Sequence, residues 1–170
     1  LSYLPDLNLS PEQSEDCLYL NIIKPKKLEN GSLPVMVWIH GGGYRGGDGG
    51  GFYISDSFAK EGIILVTINY RLGPLGFMAH PLLSAESPKK VSGNYGTLDQ
   101  IHALKWVQAN IHKFGGDPNN VTIFGESAGG ASVETLVSTG LAKDLFHKAI
   151  AQSGYTVGPV SYTHLRAHET

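Results

Sequence analysis

Ser127 has the surroundings of a reactive serine. It lies in the sequence VTIFGESAGGAS (121–132), in which an apolar, β-branched run leads through Gly-x-Ser-x-Gly into small residues. At the junction of a strand and a helix this pattern is the nucleophile elbow, whose glycines permit a sharp, strained turn that exposes the serine hydroxyl. The chain has 22 glycines, so the bare motif is weak evidence, but patterns typical of a strand and a helix flank it. We predict that Ser127 is a nucleophile.

Backbone N–H groups could stabilise the oxyanion that such a nucleophile creates. The helix after the elbow would direct its positive N-terminal end there, with the N–H of Ala128 as one donor. The motif HGGGY (40–44) follows the apolar run VMVWI, and its glycines can turn N–H groups toward a ligand oxygen. Gly42 and Gly43 are therefore the other predicted donors, with a merely flexible loop as the alternative. A phosphate loop is disfavoured, since no Gly-Lys-Ser/Thr follows.

These motifs need a sheet that presents them at one edge. Short apolar, β-prone runs bounded by turn residues predict strands at residues 18–25, 33–41, 62–70, 121–125 and 147–154. The first two bracket a polar turn and are expected to be neighbours. Helices are predicted from about Thr97 to Lys113, and from the elbow toward Gly140, on the apolar periodicity of Leu98, Ile101, Leu104, Val107, Ile111, Val133, Leu136 and Val137. The alternation of strands and helices predicts an α/β fold with a mainly parallel sheet flanked by helices.

Composition narrows the classes of partner. The chain has 170 residues, of which 41% are hydrophobic and 16% charged, with a formal net charge of −2. No cluster of basic residues points to nucleic acid or to an anionic membrane, and no apolar run approaches the roughly 20 residues of a membrane span. The first ten residues lack the pattern of a signal peptide, yet the chain begins at Leu1, so a secreted and a cytoplasmic location both stay open.

Five motifs in order resemble the type-B carboxylesterase and cholinesterase family. They are SEDCLYLNI (14–22), WIHGGG (38–43), NYRLGPLGF (69–77), GNYGTLDQ (93–100) and FGGDPNNVTIFGESAGG (114–130). The resemblance implies an α/β-hydrolase fold and hydrolysis of a small-molecule ester through an acyl-enzyme, without a cofactor. By position Ser127 matches the nucleophile of the family, and Gly42, Gly43 and Ala128 match its oxyanion hole. Cys17, interpreted as an inert, buried thiol, matches a cysteine whose usual upstream partner is absent here.

A general base and an acid are not evident beside these motifs. In this fold the order along the chain is serine, then an acid, then histidine. The acids and histidines after the elbow are Glu134, Asp144, Glu169, His147, His164 and His168. Glu134 and Asp144 fall in or just after the elbow helix, and His147 opens a segment that the family uses as scaffold. We therefore predict a fragment whose general base and acid are missing.

The prediction divides the chain into two parts. Residues 1–160 are the N-terminal part of a hydrolase domain, incomplete at its C-terminus, and residues 161–170 are a non-native tail that departs from the family pattern. His164 and His168 have the i, i+4 spacing of a metal pair, but no third ligand is evident, so no metal site is predicted. A catalytically inactive truncated or binding protein of the same fold is the alternative function, and an amidase or lipase would differ only in its substrate pocket.

Four other residues have a predicted supporting role. His40, before the glycine triplet, is expected to support that loop through hydrogen bonds and not to carry protons. Arg71 and Asp99 are expected to form a structural ion pair, since the family has a salt bridge near these motifs. Glu126 either tunes the electrostatics of Ser127 or is a carboxylate held by backbone donors.

Overall fold

The computed structural model describes residues 13–26 and 31–154. Within these ranges five strands form one sheet, in the order β1-β3-β2-β4-β5. They are β1 (Leu20–Ile23), β2 (Leu33–Ile39), β3 (Ile64–Ile68), β4 (Gly116–Glu126) and β5 (Lys148–Gln152). β2 pairs in parallel with β3 and β4, and β4 pairs in parallel with β5, whereas β1 is antiparallel to β3. The predicted α/β fold with a mainly parallel sheet is confirmed.

The prediction that residues 18–25 and 33–41 form neighbouring strands is wrong. β3 lies between β1 and β2 in the sheet. Strands β3 and β4 occupy both edges of β2, and β5 takes the outer edge of β4, so that the outer edge of β3 is left for β1. The side chain of Asn21 donates to Thr67 Oγ1 at 3.1 Å across this antiparallel pair.

The core lies between the sheet and two helices, α4 (Tyr95–Asn110) and α5 (Ala128–Ser138). Every residue of β3 is buried, as its uninterrupted run of apolar and β-branched residues predicts. In β2 burial alternates, and the fully buried side chains are Val35, Val37 and Ile39. The residues between them include Trp38, which packs against Phe124 of β4 on the opposite face of the sheet.

The two long helices begin and end near their predicted positions. α4 passes into a 3₁₀ turn (Ile111–Phe114), which Gly115 ends with a φ of 88°. Most of the predicted apolar residues on these helices are buried, namely Ile101, Leu104, Val107, Ile111, Val133 and Leu136. Leu98 and Val137 were expected to join them but are 46% and 58% exposed. The periodic pattern therefore places the buried faces correctly and overstates their width.

Three short helices lie in the loops between these elements, α1 (Ser57–Lys60), α2 (Gly73–Phe77) and α3 (Pro81–Glu86). In the ranges that the structure describes, every helix is too short or too polar to cross a membrane.

β5 is an edge strand of the sheet described here. Its five residues are all exposed, and the side chain of Ile150 is 46% exposed. One edge of β5 pairs with β4, and the opposite edge has no strand beside it within residues 13–26 and 31–154. The free N–H and C=O groups of β5 and the side chain of Ile150 could therefore pair with and pack against another strand at this edge.

Candidate active site

Ser127 forms a tight turn between a strand and a helix. β4 ends at Glu126, α5 begins at Ala128, and Ser127 between them has φ 56° and ψ −120°. A residue with a Cβ rarely adopts this conformation, which is a common sign of backbone strain at a functional position. The N–H of Ser127 donates to the carbonyl of Gln152 in β5 at 2.9 Å, and its own carbonyl accepts from Ala131 N–H at 2.9 Å. The geometry is the one that a nucleophile elbow requires.

Glycine is needed on both sides of this turn because the backbones approach closely. A Cβ at Gly129 would overlap the carbonyl oxygen of Ile39, at the end of β2. A Cβ at Gly125 would lie 2.6 Å from the backbone of Gly129 and 2.7 Å from the same carbonyl. The absence of side chains here lets the start of α5 rest directly on the end of β2.

The loop after β2, residues 40–46, lies against the elbow. Its Gly42 and Gly43 have φ values of 101° and 61°, a region that favours glycine. The carbonyl of Gly42 accepts from Arg45 N–H at 3.0 Å and from Gly46 N–H at 3.2 Å, which closes a tight turn. A Cβ on Gly41 would lie 3.3 Å from Ser127 Cβ. The glycine triplet and the predicted nucleophile therefore share one edge of the sheet.

His40 is buried at the base of this loop, and 1% of its surface is exposed. Its ring stacks on Tyr70 with 4.4 Å between the ring centroids, and its Nδ1 lies 2.8 Å from the carbonyl oxygen of Gly41. Burial lowers the pKa of His40 from its ordinary value, although Gly41 and Asp48 oppose that change. The neutral ring can donate from Nδ1 to Gly41, which agrees with a supporting role and not with proton transfer.

The predicted ion pair between Arg71 and Asp99 is confirmed. Arg71 Nε and Nη2 donate to the two carboxylate oxygens of Asp99, each at 2.8 Å, and the Arg71 N–H donates to Oδ2 at 3.0 Å. The side chain of Asp99 is 8% exposed, that of Arg71 38%. The bond to Asp99 raises the pKa of Arg71. This bidentate pair fixes the segment after β3 to α4.

The side chain of Glu126 lies beside the glycine loop, where its Oε2 is 3.3 Å from the position of a Cβ built on Gly41. Its side chain is exposed, and no hydrogen bond to its carboxylate is formed among the described residues. The interpretation as a carboxylate held by backbone donors is therefore wrong. Its charge contributes to a raised pKa of Tyr53, after the larger effect of burial, so the field of Glu126 reaches the aromatic side chains near the elbow.

The structure places His147, the described candidate for a base, away from Ser127. His147 lies at the start of β5, where its Nδ1 accepts from the N–H of Val121 at 3.2 Å. Val121 lies five positions before Glu126 along β4, a distance of about 17 Å, and Ser127 directly follows Glu126. His147 is therefore far from the hydroxyl of Ser127. Asp144 is exposed in the turn before β5, and Glu134 lies within α5. The remaining candidates lie outside the described residues, namely Glu169, His164 and His168.

Cys17 is half-buried, which corrects the expectation of a buried thiol. It precedes β1, and its carbonyl accepts from the side chain of Asn69 at 3.0 Å. Burial is the main cause that raises the pKa of this thiol, which disfavours the reactive thiolate form.

Sequence reasoning missed four residues that support the site. Tyr70 donates from its hydroxyl to the carbonyl of His40 at 2.8 Å. Tyr44, Ser132 and Gln100 are linked by side-chain hydrogen bonds behind the glycine loop. The available signal was that Ser132 and Gln100 are polar residues on the buried faces of apolar helices.

Comparisons with known proteins agree with this architecture. Residues 3–169 match the family model described as "Carboxylesterase family". The chain is 54% identical over 149 residues to fumonisin B1 esterase of Sphingopyxis macrogoltabida, covering 87% of this chain and 28% of that protein. It is 51% identical over 151 residues to carboxylesterase 1D of Mus musculus, covering 88% of this chain and 26% of that protein.

Solved structures of esterases have the same fold as this chain. The fold resembles that of a PNB esterase with a TM-score of 0.77 at 49% sequence identity, covering 89% of this chain and 32% of that one. The chain thus spans less than one third of the length of each of these relatives. Because the family model matches nearly all of its residues and the structural match covers 89% of the chain, the chain belongs to the carboxylesterase family and has part of an α/β-hydrolase fold.

Proposed function

We propose that this chain carries the nucleophile and the oxyanion hole of a serine carboxylic-ester hydrolase. Ser127 is the nucleophile, and the N–H groups of Gly42, Gly43 and Ala128 are the oxyanion donors. One observation carries the proposal, namely that a strained serine between β4 and α5 has the glycine loop packed against its Cβ. The names of the related esterases support a carboxylic ester as the class of substrate.

The proposed reaction has two steps. Ser127 Oγ attacks the ester carbonyl carbon while a histidine takes its proton, and the carbonyl oxygen becomes an oxyanion bound by the three N–H groups. The histidine then gives the proton to the leaving alcohol, and an acyl-enzyme remains. Water, deprotonated by the same histidine, attacks the acyl carbon and releases the acid together with free Ser127.

The histidine and its acidic partner are proposed to lie in a part of the enzyme beyond this chain. His147 is held by Val121 at the far end of the sheet, and Asp144 lies in the turn beside it. The exposed edge of β5 supports the same view, because an edge strand of this kind is available for pairing with further chain. Residues 1–170 alone should therefore hydrolyse esters negligibly and be poorly soluble.

The test compares two proteins with a short-chain p-nitrophenyl ester. One is residues 1–170, and the other is the complete enzyme, meaning residues 1–160 with the native C-terminal continuation in place of residues 161–170. We expect turnover only in the complete enzyme, and we expect Ser127→Ala to abolish it. Ser138→Ala is the matched control, since Ser138 is exposed on the same helix and its hydroxyl donates to the Glu134 carbonyl at 2.8 Å.

Two results would contradict the proposal. Robust turnover by residues 1–170 that Ser127→Ala abolishes would place the base within this chain, at His147, His164 or His168. Turnover by the complete enzyme that survives Ser127→Ala would remove Ser127 as the nucleophile.

A further inference from the structure

A chain of three polar side chains runs through the interior behind the glycine loop. Gln100 Nε2, on α4, donates to Ser132 Oγ on α5 at 3.0 Å. Ser132 Oγ donates in turn to the hydroxyl of Tyr44 at 3.3 Å. Gln100 and Ser132 are 0% and 2% exposed. These bonds connect both long helices with the residue that directly follows the glycine triplet.

Tyr44 has a backbone conformation that its neighbours must maintain. Its φ is 59°, a left-handed value that is unfavourable for a bulky side chain. Its carbonyl accepts from Gly73 N–H at 2.6 Å, and its ring packs on Phe77 with 4.8 Å between the centroids. The edge of its ring also meets Tyr70, at 6.5 Å. Because Gly42 and Gly43 immediately precede Tyr44, whatever fixes Tyr44 also fixes the direction of their N–H groups.

The partner of Tyr44 lies on the helix that carries the third proposed donor. Ser132 is four residues after Ala128, so it faces the same side of α5 one turn later. The first turn of α5 is tied to the elbow by the bond from Ala131 N–H to the carbonyl of Ser127. The bond between Tyr44 and Ser132 therefore spans the gap between the loop donors and the helix donor.

Packing alone does not explain these polar groups. Among the described residues the Oε1 atom of Gln100 is buried without a hydrogen-bond partner, which is unfavourable. Apolar side chains of similar volume would fill the same space without that cost. A directional bond, unlike an apolar contact, sets a fixed distance and orientation between the loop and α5.

We propose that Tyr44 is a positioning residue whose hydroxyl, held by Ser132 and Gln100, fixes the N–H groups of Gly42 and Gly43 relative to the N–H of Ala128. The inference rests on the proposed function for the use of these groups, but the placement itself can be measured separately. Tyr44 touches no reacting atom in this scheme and acts only through the loop.

The placement is tested by amide hydrogen exchange in the complete enzyme. Tyr44→Phe removes only the hydroxyl and keeps the ring contacts, and Ser132→Ala removes its partner. We expect either change to increase the exchange rate of residues 41–46 about tenfold. The controls are Tyr95→Phe, which keeps the ring under Arg71, and Ser138→Ala, and both should leave that peptide unchanged. Unchanged exchange in Tyr44→Phe overturns the proposal whether or not the enzyme hydrolyses esters.

The consequence for catalysis is tested with the same variants. We expect Tyr44→Phe to lower kcat about tenfold or more at constant KM, because small misplacements of catalytic groups are costly. The inhibition constant of a trifluoromethyl ketone, whose adduct with Ser127 carries an oxyanion, should rise by the same factor. The variant that combines Tyr44→Phe with Ser132→Ala should have the same kcat and inhibition constant as either single variant, since both substitutions break the same hydrogen bond.

Different results would contradict the role of Tyr44 and the proposed function. Two results would overturn the role of Tyr44 in the oxyanion hole. One is a decrease in kcat in the double variant that equals the product of the two single decreases, and the other is an unchanged kcat and inhibition constant in Tyr44→Phe. If wild-type complete enzyme shows no ester turnover at all, the proposed function fails, and the exchange experiment still decides whether Tyr44 places the loop.

Discussion

Tyr70 holds His40 from two directions. Its ring stacks on the imidazole with 4.4 Å between the centroids and 18° between the planes, and its hydroxyl donates to the His40 carbonyl at 2.8 Å. Burial raises the pKa of Tyr70 far above its ordinary value, so the phenol keeps the proton that it donates. The end of β3 and the start of the glycine loop are thereby joined.

Removing this hydroxyl should destabilise the protein. Tyr70→Phe keeps the stacking and leaves the buried His40 carbonyl without its donor, which costs about 1–3 kcal/mol in the free energy of unfolding. Urea denaturation measures the difference, with Tyr95→Phe as the control. Equal stability of Tyr70→Phe and wild type would show that the bond does not hold the loop.

His40 should make stability depend on pH. Burial lowers its folded-state pKa, so as the pH falls below the ordinary value of 6.5 the unfolded chain takes up a proton before the folded chain does. The free energy of unfolding should then fall by up to about 1.4 kcal/mol for each pH unit, until the folded-state pKa is reached. Urea titrations between pH 7.5 and 5 should show a flatter slope in His40→Gln and an unchanged one in His102→Gln, which replaces an exposed histidine.

The strain at Ser127 predicts a gain in stability from glycine. At φ 56° and ψ −120° a Cβ is unfavourable, and Ser127→Gly removes it whereas Ser127→Ala keeps it. We expect the glycine variant to be more stable than the alanine variant by about 1 kcal/mol, after the greater backbone entropy lost by glycine is included. Thermal and urea unfolding of the two variants decide this, and a less stable glycine variant would argue against strain at the elbow.

The close contact of α5 with β2 predicts that Gly129 cannot be replaced. A Cβ there would overlap the Ile39 carbonyl, which cannot move without shifting the sheet. Gly129→Ala should therefore cost about 3 kcal/mol or more, or prevent folding. Gly140→Ala is the matched control, because a Cβ at that position meets no heavy atom within 4 Å and should change stability by less than about 0.5 kcal/mol.

Local sequence patterns predicted the elements that form the centre of the sheet. The uninterrupted apolar run of β3 is buried throughout, and the strand, turn and helix around Ser127 follow the order that Gly-x-Ser-x-Gly requires. These features depend on residues close together in the chain. The position of β1 beside β3 could not be predicted in this way, because it depends on which strands already occupy the edges of β2.

Local sequence patterns could not predict the residues that support the site either. Ser132 and Tyr44 are 88 residues apart, and Gln100 and Ser132 are 32 apart, so only the folded chain brings them together. Exposure of Leu98 and Val137 likewise depends on which parts of each helix the neighbouring elements cover. Periodicity identifies a buried face but not its edges.

The proposed function requires Ser127 to be the activated serine of an esterase. The most direct measurement is to treat the complete enzyme with a fluorophosphonate, which reacts with activated serines, and to identify the modified residue by peptide mass spectrometry. We expect one modified peptide, containing Ser127, with loss of ester turnover in proportion to labelling and no label in Ser127→Ala. Labelling of a different serine, or full turnover in an enzyme modified completely at Ser127, would contradict it.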